Sequence, residues 1–479
     1  MRSRYDLVIV GGGTAGLVAA AGGAYLGARV ALVERDRLGG ECLNYGCVPT
    51  KALVRSAGVA SLMRRAGEFG VKPVEVEVDF PAVMERMREM IRVVGVHDSP
   101  GRFRRMGVDV FLESEARLDA PGEVMVDGWR IPARSVILAT GSHSSVPPVE
   151  GLEETGYMTH VEALRMESLP GSIVIIGAGP VGCEFAQIFA RFGCRVSVIS
   201  SSSLPLPREE QEVSERLLRT LLAEGITFHG GFRAEAARRE GKDKVVVARD
   251  EAGGAIEERA EEILIAAGRA PTVDGLNLED AGVELGESGI KVDDNLRTTV
   301  PGVYAAGDIT GGRLFTHVAE YEGKLALRNA LFPVKARADY RVVPWTTFTD
   351  PEVARVGLTE EEARKEHEMV EVFRHPFGEV DRAVTDGETE GFVKVVAGKG
   401  GEILGAHIIG PGAGDLIHEF VLAMQRGIPL RRLSTMIHVY PTLSQVNQRV
   451  ADGYYREKLF TATNRKVLGT FFGLRRLLS

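Results

Sequence analysis

Cys42 and Cys47 stand in the run Gly39-Gly40-Glu41-Cys42-Leu43-Asn44-Tyr45-Gly46-Cys47-Val48-Pro49-Thr50-Lys51. Two thiols this close can do two-electron chemistry, closing to a disulfide and opening again, or they can grip a thiophilic metal together. Five residues of regular helix would separate them by roughly 7.5 Å, slightly beyond disulfide reach. A turn distorted at Gly46 and Pro49 would close that gap. The following Ala52-Leu53-Val54-Arg55 reads as helix, which puts Cys47 near a helix N-terminus, where a thiolate is favoured. No second ligand pair at zinc spacing accompanies the two cysteines, so no metal site is expected. Taken alone, Lys51 and Glu184 read as solvated charges, and Cys183 and Cys194 read as small buried residues.

The elements that must position these thiols are announced by an internal repeat. Val8-Ile9-Val10-Gly11-Gly12-Gly13-Thr14-Ala15-Gly16 matches Val174-Ile175-Ile176-Gly177-Ala178-Gly179-Pro180-Val181-Gly182 at an offset of 166 positions. After each comes a helical stretch and a second strand, Val30-Ala31-Leu32-Val33-Glu34 and Val196-Ser197-Val198-Ile199-Ser200. In both copies 23 residues separate the first glycine from the strand end. Strand, G-x-G-x-x-G turn, helix and strand make a dinucleotide-binding unit. Gly11 and Gly177 permit the tight turn, Gly13 and Gly179 let the backbone approach a pyrophosphate, and Gly16 and Gly182 let helix and strand pack closely. The pyrophosphate would sit at the helix N-terminus, where free N–H groups favour negative charge. Two copies in matching context predict two bound dinucleotides.

The copies differ where they choose a ligand. Glu34 can accept hydrogen bonds from the hydroxyls of an unphosphorylated adenosine ribose, as in FAD. The second copy has Ser200, then Ser201, Ser202 and Ser203, with no carboxylate to repel a 2′-phosphate, and Arg208 lies downstream to contribute charge. This favours NADPH over NADH as the nicotinamide cofactor.

The chain has 479 residues, too many for one hydrophobic core, so several domains are expected. With 44% hydrophobic residues, 26% charged and a mean hydropathy of −0.01, it reads as a soluble globular protein rather than a disordered chain or a membrane channel. No run approaches a membrane span, and no apolar leader precedes the first strand, so a cytoplasmic enzyme is expected. A net charge of −8 gives no reason to expect nucleic acid. Four cysteines are too few for a disulfide scaffold. Glycine is the outlier, 57 residues without collagen periodicity, as expected of tight turns and close approach to ligands.

Here the residues reach a family. The cysteine segment resembles the redox motif of the class I pyridine-nucleotide–disulfide oxidoreductases, whose members include dihydrolipoamide dehydrogenase, glutathione reductase and mercuric reductase. The likeness extends over nearly the whole chain. Ile137-Leu138-Ala139-Thr140-Gly141 is similar to the strand leaving the first half of an FAD domain. Ile263-Leu264-Ile265-Ala266-Ala267-Gly268-Arg269 is similar to its equivalent in a nicotinamide domain. Val303-Tyr304-Ala305-Ala306-Gly307-Asp308 resembles the segment whose aspartate holds the flavin's ribityl chain. Phe348-Thr349-Asp350-Pro351-Glu352-Val353-Ala354-Arg355-Val356-Gly357 resembles the opening of a dimer-interface domain. The resemblance implies that Cys42 is the interchange thiol and Cys47 the thiolate facing the flavin, with Lys51 at the flavin's reactive edge paired to Glu184. It also assigns Ala116, Thr140, Gly141, Gly307, Asp308 and His317 to the flavin and Gly268 to the nucleotides. Hydride from NAD(P)H would travel through the flavin to a Cys42–Cys47 disulfide, and the Cys42 thiolate would reduce the substrate.

The pattern breaks near the end of the chain, at Ile437-His438-Val439-Tyr440-Pro441-Thr442-Leu443-Ser444-Gln445. Disulfide-specific members carry a histidine where Tyr440 stands and a glutamate where Gln445 stands, the histidine serving the partner subunit as acid and base. Tyrosine, with an ordinary pKa near 10, donates a hydrogen bond but poorly accepts a proton at neutral pH. Losing a general acid/base costs roughly 10²- to 10⁴-fold. His438 shares a face with Tyr440 in an extended segment and is the candidate substitute, although packing is the preferred reading for it. Tyrosine here resembles mercuric reductase, yet the vicinal cysteine pair of that enzyme has no counterpart in Phe471-Phe472-Gly473-Leu474-Arg475-Arg476-Leu477-Leu478-Ser479, and its N-terminal metal-capture module is not expected here. From Arg465 onward basic and bulky apolar residues alternate, a stripe expected to pack on its own protein in preference to a membrane surface.

The expected fold is α/β, with two Rossmann-like three-layer nucleotide-binding domains and a C-terminal α+β dimerisation domain. Its division is 1–150 and 271–344 for FAD, 151–270 for NAD(P), and 345–479 for the interface of a homodimer. The expected activity is FAD-dependent transfer of electrons from NAD(P)H to a small-molecule acceptor, a metal ion or a disulfide. Lipoamide dehydrogenation is the alternative, and a redox-inert flavoprotein acting as a binding or scaffold protein is the alternative of another class.

Overall fold

The computed structural model describes residues 4–72, 74–120, 122–459 and 461–478. Its contacts divide the chain into two compact units. The first takes the described residues of Met1–Arg65, Pro73–Ser203 and Glu224–Asp339; the second takes those of Ala66–Lys72, Leu204–Ala223 and Tyr340–Ser479.

The first unit holds both copies of the repeat. Strand β1 (Tyr5–Val10) leads into helix α1 (Thr14–Tyr25) and strand β2 (Val30–Glu34). Strands β3 (Asp109–Leu112), β6 (Trp129–Leu138) and β16 (Val303–Ala305) complete the parallel part of the sheet, in the order β3-β2-β1-β6-β16. Strands β4 (Ala116–Ala120) and β5 (Glu123–Val126) extend β6 as an antiparallel meander. Leu7, Ile9, Leu32 and Ile137 feed one buried cluster, and Val8, Val10, Ala31, Val33 and Leu138 feed another. That is why the strands read as unbroken apolar runs: side chains alternate between faces, and both faces are covered.

The second copy repeats the plan. Strand β8 (Ser172–Ile176), helix α5 (Pro180–Phe192) and strand β9 (Arg195–Ser200) join β10 (Thr227–Gly230) and β14 (Glu262–Ile265) in a parallel sheet ordered β10-β9-β8-β14. The antiparallel meander of β11 (Arg233–Glu240), β12 (Asp243–Arg249) and β13 (Ala255–Ala260) closes on that sheet through Val174, Ile176, Val246, Ala248 and Ile263. Helix, parallel sheet and meander form three layers. Two short strands, β7 (Ser142–Ser144) and β15 (Arg269–Pro271), pair antiparallel where the chain passes into and out of this copy. Between the copies lie helices α2 (Gly40–Asn44), α3 (Cys47–Arg64) and α4 (Phe80–Gly95), and after them α6 (Thr316–Leu331) packs on α1.

The second unit is built on an antiparallel sheet of β17 (Pro344–Thr347), β18 (Glu352–Gly357), β21 (Ile403–Gly410), β20 (Phe392–Ala397) and β19 (Glu371–Pro376), in that order. Helices α7 (His418–Gln425) and α8 (Gln445–Leu459) cover it, burying Phe373, Phe377, Phe420, Val446 and Val450. Segment 204–223, read from sequence as part of the NAD(P) region, is gathered into this unit. Helix α9 (Ala462–Leu478) corrects the reading of the basic stripe. Residues 465–477 are all exposed, so the stripe does not pack on its own chain among the described residues.

Candidate functional site

Each glycine turn is built the way its spacing demands. A Cβ on Gly16 would stand 1.9 Å from Gly11 O, and one on Gly182 would stand 1.9 Å from Gly177 O, so only glycine lets helix and turn meet. Gly11 and Gly177 take φ of +110° and +114°, a region L side chains avoid. By contrast, a Cβ on Gly179 would meet nothing within 4 Å, and one on Gly13 would find only Gly40 Cα, at 3.9 Å. Gly13 and Gly179 are also the N-caps of α1 and α5, and neither helix has a side-chain cap. Open space over uncapped helix N-termini is a cradle for an anionic group. The residues therefore fit two dinucleotide pyrophosphates.

Around the first cradle, the Glu34 carboxylate at the end of β2 accepts the Gly12 N–H at 2.6 Å and the Asp36 N–H at 2.8 Å. Ala116 opens β4. The Thr140 hydroxyl donates to Thr272 O at 2.6 Å, and Gly141 turns the chain at φ +74°. Gly307 donates its N–H to Glu322 Oε2 at 2.6 Å, a buried carboxylate on α6 that sequence reading missed. Asp308 accepts from the Ser142 hydroxyl at 2.5 Å, and burial pushes its carboxyl above the ordinary range. His317, on α6, stacks its ring on Phe315 with centroids 5.3 Å apart. At the second copy, buried Ser200 accepts the Ser202 N–H at 3.1 Å, Ser201 is exposed, and Gly268 turns at φ +122° with open space at its Cβ position. Arg208 falls in the second unit, where its carbonyl accepts from Arg355.

The cysteines stand at a break between two helices. Cys42 lies in α2 and is half-buried, while Cys47 is the first residue of α3 and is exposed. Both sulfurs are thiols here. The hydrogen bond from Cys42 is the largest influence on Cys47, bringing its pKa from 9.0 down to about 6 against the effect of burial, with Thr316 and Lys51 helping. The same bond holds the Cys42 proton in place and raises that thiol. Thr316 Oγ1 lies 3.5 Å from Cys47 Sγ. Lys51 follows Cys47 by four residues on α3, one turn along the same face. Because α3 packs against α5, Lys51 Nζ reaches Glu184 at 2.8 and 3.0 Å, and Glu184 is buried. The pair predicted from resemblance is brought together; as two solvated charges it would not be.

Sequence reading passed over the neighbours of Cys42. Glu41 takes Arg269 Nη1 at 2.6 Å and a second bond from Nη2, a two-point carboxylate–guanidinium contact. His160 Nε2 lies 2.6 Å from Glu41 Oε1, and His160 Nδ1 faces the Ser144 hydroxyl at 3.0 Å. Arg269 Nε also donates to the Ser142 hydroxyl at 2.8 Å. Burial works to raise the Glu41 pKa, but the His160 and Arg269 contacts outweigh it and hold it at about 2. The helix that carries Cys42 is thereby tied to both strands of the β7–β15 pair. The signal available was Glu41 itself, an acid set beside a thiol.

In the second unit the Tyr440 hydroxyl donates to Asp381 at 3.0 Å, which pushes the phenol's pKa up and leaves it a donor at neutral pH. The His438 side chain is only 6% exposed; its Nε2 lies 3.1 Å from Glu419 Oε1 on α7 and its Nδ1 lies 3.3 Å from Met436 O. Gln445 begins α8. The carboxylate that Gln445 lacks is thus present beside His438 from another element. Cys183 and Cys194 are buried. Among the described residues, no group of His, Cys, Asp and Glu could hold a metal ion.

Residues 5–323 match the family described as pyridine nucleotide-disulphide oxidoreductase, and residues 343–451 match its dimerisation domain. The chain is 34% identical to a mercuric reductase of Bacillus cereus over 92% of its length and 70% of that protein's. It is 35% identical to a dihydrolipoyl dehydrogenase of Bacillus subtilis over 93% and 97%. Among solved structures, the copper(II) complex of an HOCl-induced flavoprotein disulfide reductase from Escherichia coli superposes with a TM-score of 0.84 at 28% identity, covering 94% of this chain and 99% of that one.

Proposed function

The chain belongs to the pyridine nucleotide-disulphide oxidoreductases, flavoproteins that bind FAD and a pyridine nucleotide, and from that premise we propose that it is an NAD(P)H-dependent reductase of a small thiol-reactive acceptor. The acceptor class is a thiophilic metal ion or a disulfide. One arrangement carries the reading: two thiols at the break between α2 and α3, the exposed Cys47 with its sulfur 3.5 Å from Thr316 Oγ1 and its pKa brought down by the Cys42 hydrogen bond. When bound, FAD supplies the two-electron relay between nicotinamide and sulfur. Gly11, Gly13, Gly16 and Glu34 would hold FAD with Ala116, Thr140, Gly141, Gly307, Asp308 and His317. Gly177, Gly179, Gly182, Ser200, Ser201 and Gly268 would hold the nicotinamide nucleotide, NADPH ahead of NADH because serines stand at 200–203, where a carboxylate would repel a 2′-phosphate. The division 1–150, 151–270, 271–344 and 345–479 goes with these assignments.

In the proposed cycle the reduced pair gives two electrons to the acceptor as the Cys42–Cys47 bond re-forms. A disulfide takes them with two protons, one from Cys42 and one from solvent, and leaves as two thiols, while two copper(II) ions become copper(I) and the single Cys42 proton goes to solvent. Cys42 makes the exchange and Lys51 stabilises negative charge near Cys47, with Glu184 fixing its ammonium. Tyr440 would turn its one O–H from Asp381 to the acceptor and does not take the acceptor's proton. The printed functions of two relatives, mercury reduction and copper(II) binding by a disulfide reductase, support a metal ion. A homodimer through residues 343–451 is proposed with it, in keeping with the exposed apolar side chains of Ile437 and Val439.

A second reading, dihydrolipoyl dehydrogenation, draws support from the contact between His438 and Glu419, which supplies an oriented histidine despite Tyr440 and Gln445. Anaerobic titration with NADPH and with NADH, followed by stopped-flow reoxidation with Hg²⁺, Cu²⁺, glutathione disulfide and lipoamide, separates the two. The reductase reading expects a long-wavelength thiolate–flavin band at two electrons and fastest reoxidation by a metal ion or glutathione disulfide. Fastest turnover with lipoamide establishes the second reading, and full activity in Cys42→Ser overturns both.

A further inference from the structure

Helix α9 is 17 residues long and carries Arg465, Lys466, Arg475 and Arg476 without a single acid. The whole chain has 58 Lys and Arg against 66 Asp and Glu, so this segment opposes the sign of the protein that bears it. At 100° per residue Val467, Phe471 and Leu474 form one stripe, and Leu468 and Phe472 run beside it. Arg465 and Arg476, eleven residues apart, share the face opposite the first row, and Arg475 falls between the two apolar rows, where a long stem can carry its charge out to the headgroups. Val467, Phe471 and Leu474 are 63%, 56% and 56% exposed, and Leu468 and Phe472 47% each. Apolar area of that extent in water needs a cover.

We propose that α9 is a docking surface for an anionic lipid bilayer, lying in the plane of the headgroups with its phenyl and leucyl face turned inward. The helix is about 25 Å long at 1.5 Å per residue, and among the described residues no helix is long and apolar enough to cross a membrane. The mode is therefore interfacial. Charge decides between occupants. A second copy of α9 would bring four cations against four, and the residues that match the dimerisation domain end at 451, before α9 begins. A phosphate-rich membrane surface complements both faces at once, cations to headgroups and rings to acyl chains. Attachment would place the reductase beside acceptors that arrive at or through the membrane.

The test uses the full-length protein with its flavin and two kinds of vesicle, phosphatidylcholine alone and phosphatidylcholine mixed equally with phosphatidylglycerol. Co-sedimentation should be about tenfold greater with the mixed vesicles and should weaken in about 1 M salt. Arg475→Glu with Arg476→Glu should lower binding at least tenfold, each cation being worth roughly fivefold near an anionic surface. Phe471→Ser with Phe472→Ser should do the same, and both variants should keep NAD(P)H oxidation in solution. Equal binding to the two vesicle types, or none, overturns the proposal. So does a change in the sedimenting mass of the Arg variants without vesicles present, which would put α9 in a subunit contact, or stronger binding to duplex DNA than to mixed vesicles.

Discussion

Removing the Cys42 side chain should take the reactive thiolate away from Cys47 without touching Cys47 itself. The hydrogen bond from Cys42 is the largest of the influences that bring Cys47 from 9.0 to about 6, and the next largest, burial, acts upward. Without that bond the Cys47 pKa in Cys42→Ala should return to about 9 or above. At pH 7 the thiolate fraction would then fall from roughly 90% to about 1%. A more basic thiolate is also a better nucleophile, and a Brønsted coefficient of 0.4–0.5 over three units recovers about 20-fold. Alkylation of the reduced protein by iodoacetamide should thus be about fivefold slower at pH 7 in Cys42→Ala, yet roughly tenfold faster at pH 9. The rate profiles should cross. Cys42→Ser keeps an O–H donor at the same place and should hold the midpoint near the unmodified protein's. Mass spectrometry of the labelled peptide assigns the site, and the other two cysteines are buried. A midpoint near 6 in Cys42→Ala, or one near 9 in Cys42→Ser, would refute the hydrogen-bond argument.

Changing the nearby charges should move the same midpoint in opposite directions: Lys51→Met raises it by removing a cation, and Glu184→Gln lowers it by removing an acid, both readable by the same alkylation profile. The Glu41 carboxyl, held at about 2 instead of 4.5, contributes up to about 3 kcal/mol that is complete above pH 4.5 and lost as pH falls through 2. Urea unfolding of Glu41→Gln should therefore show a deficit at pH 7 that narrows by pH 3, and an unchanged deficit would sink the assignment. Gly182→Ala should cost about 3 kcal/mol or prevent folding, since its Cβ strikes Gly177 O, whereas Gly179→Ala should alter stability by less than about 0.5 kcal/mol and raise the KM for NAD(P)H. His438→Gln should leave metal-ion reduction intact if Tyr440 serves the acceptor, a comparison of steady-state rates with Tyr440→Phe deciding which side chain matters.

Both dinucleotide turns were legible in the chain because everything they need lies within nine residues. The strand, the absence of a Cβ where helix meets turn, and the open N-terminus are local properties of Val8–Gly16 and Val174–Gly182. The thiol pair was legible for the same reason, five residues apart with a helix start between. Its ionisation was only half legible: a helix N-terminus could be read, but the donor role of Cys42 and the reach of Thr316 depend on how α2, α3 and α6 meet. Lys51 and Glu184, 133 positions apart, and Glu41 and Arg269, 228 apart, are joined by packing and strand pairing, which no local pattern encodes. The same holds for Glu419 beside His438, where Gln445 in sequence indicated that no carboxylate was present. Exposure of α9 was likewise a tertiary matter, since an amphipathic stripe states that a face must be covered but not by what. Short-range sterics and spacing are written along the chain; which distant charges share a buried site is decided only when the sheets have closed.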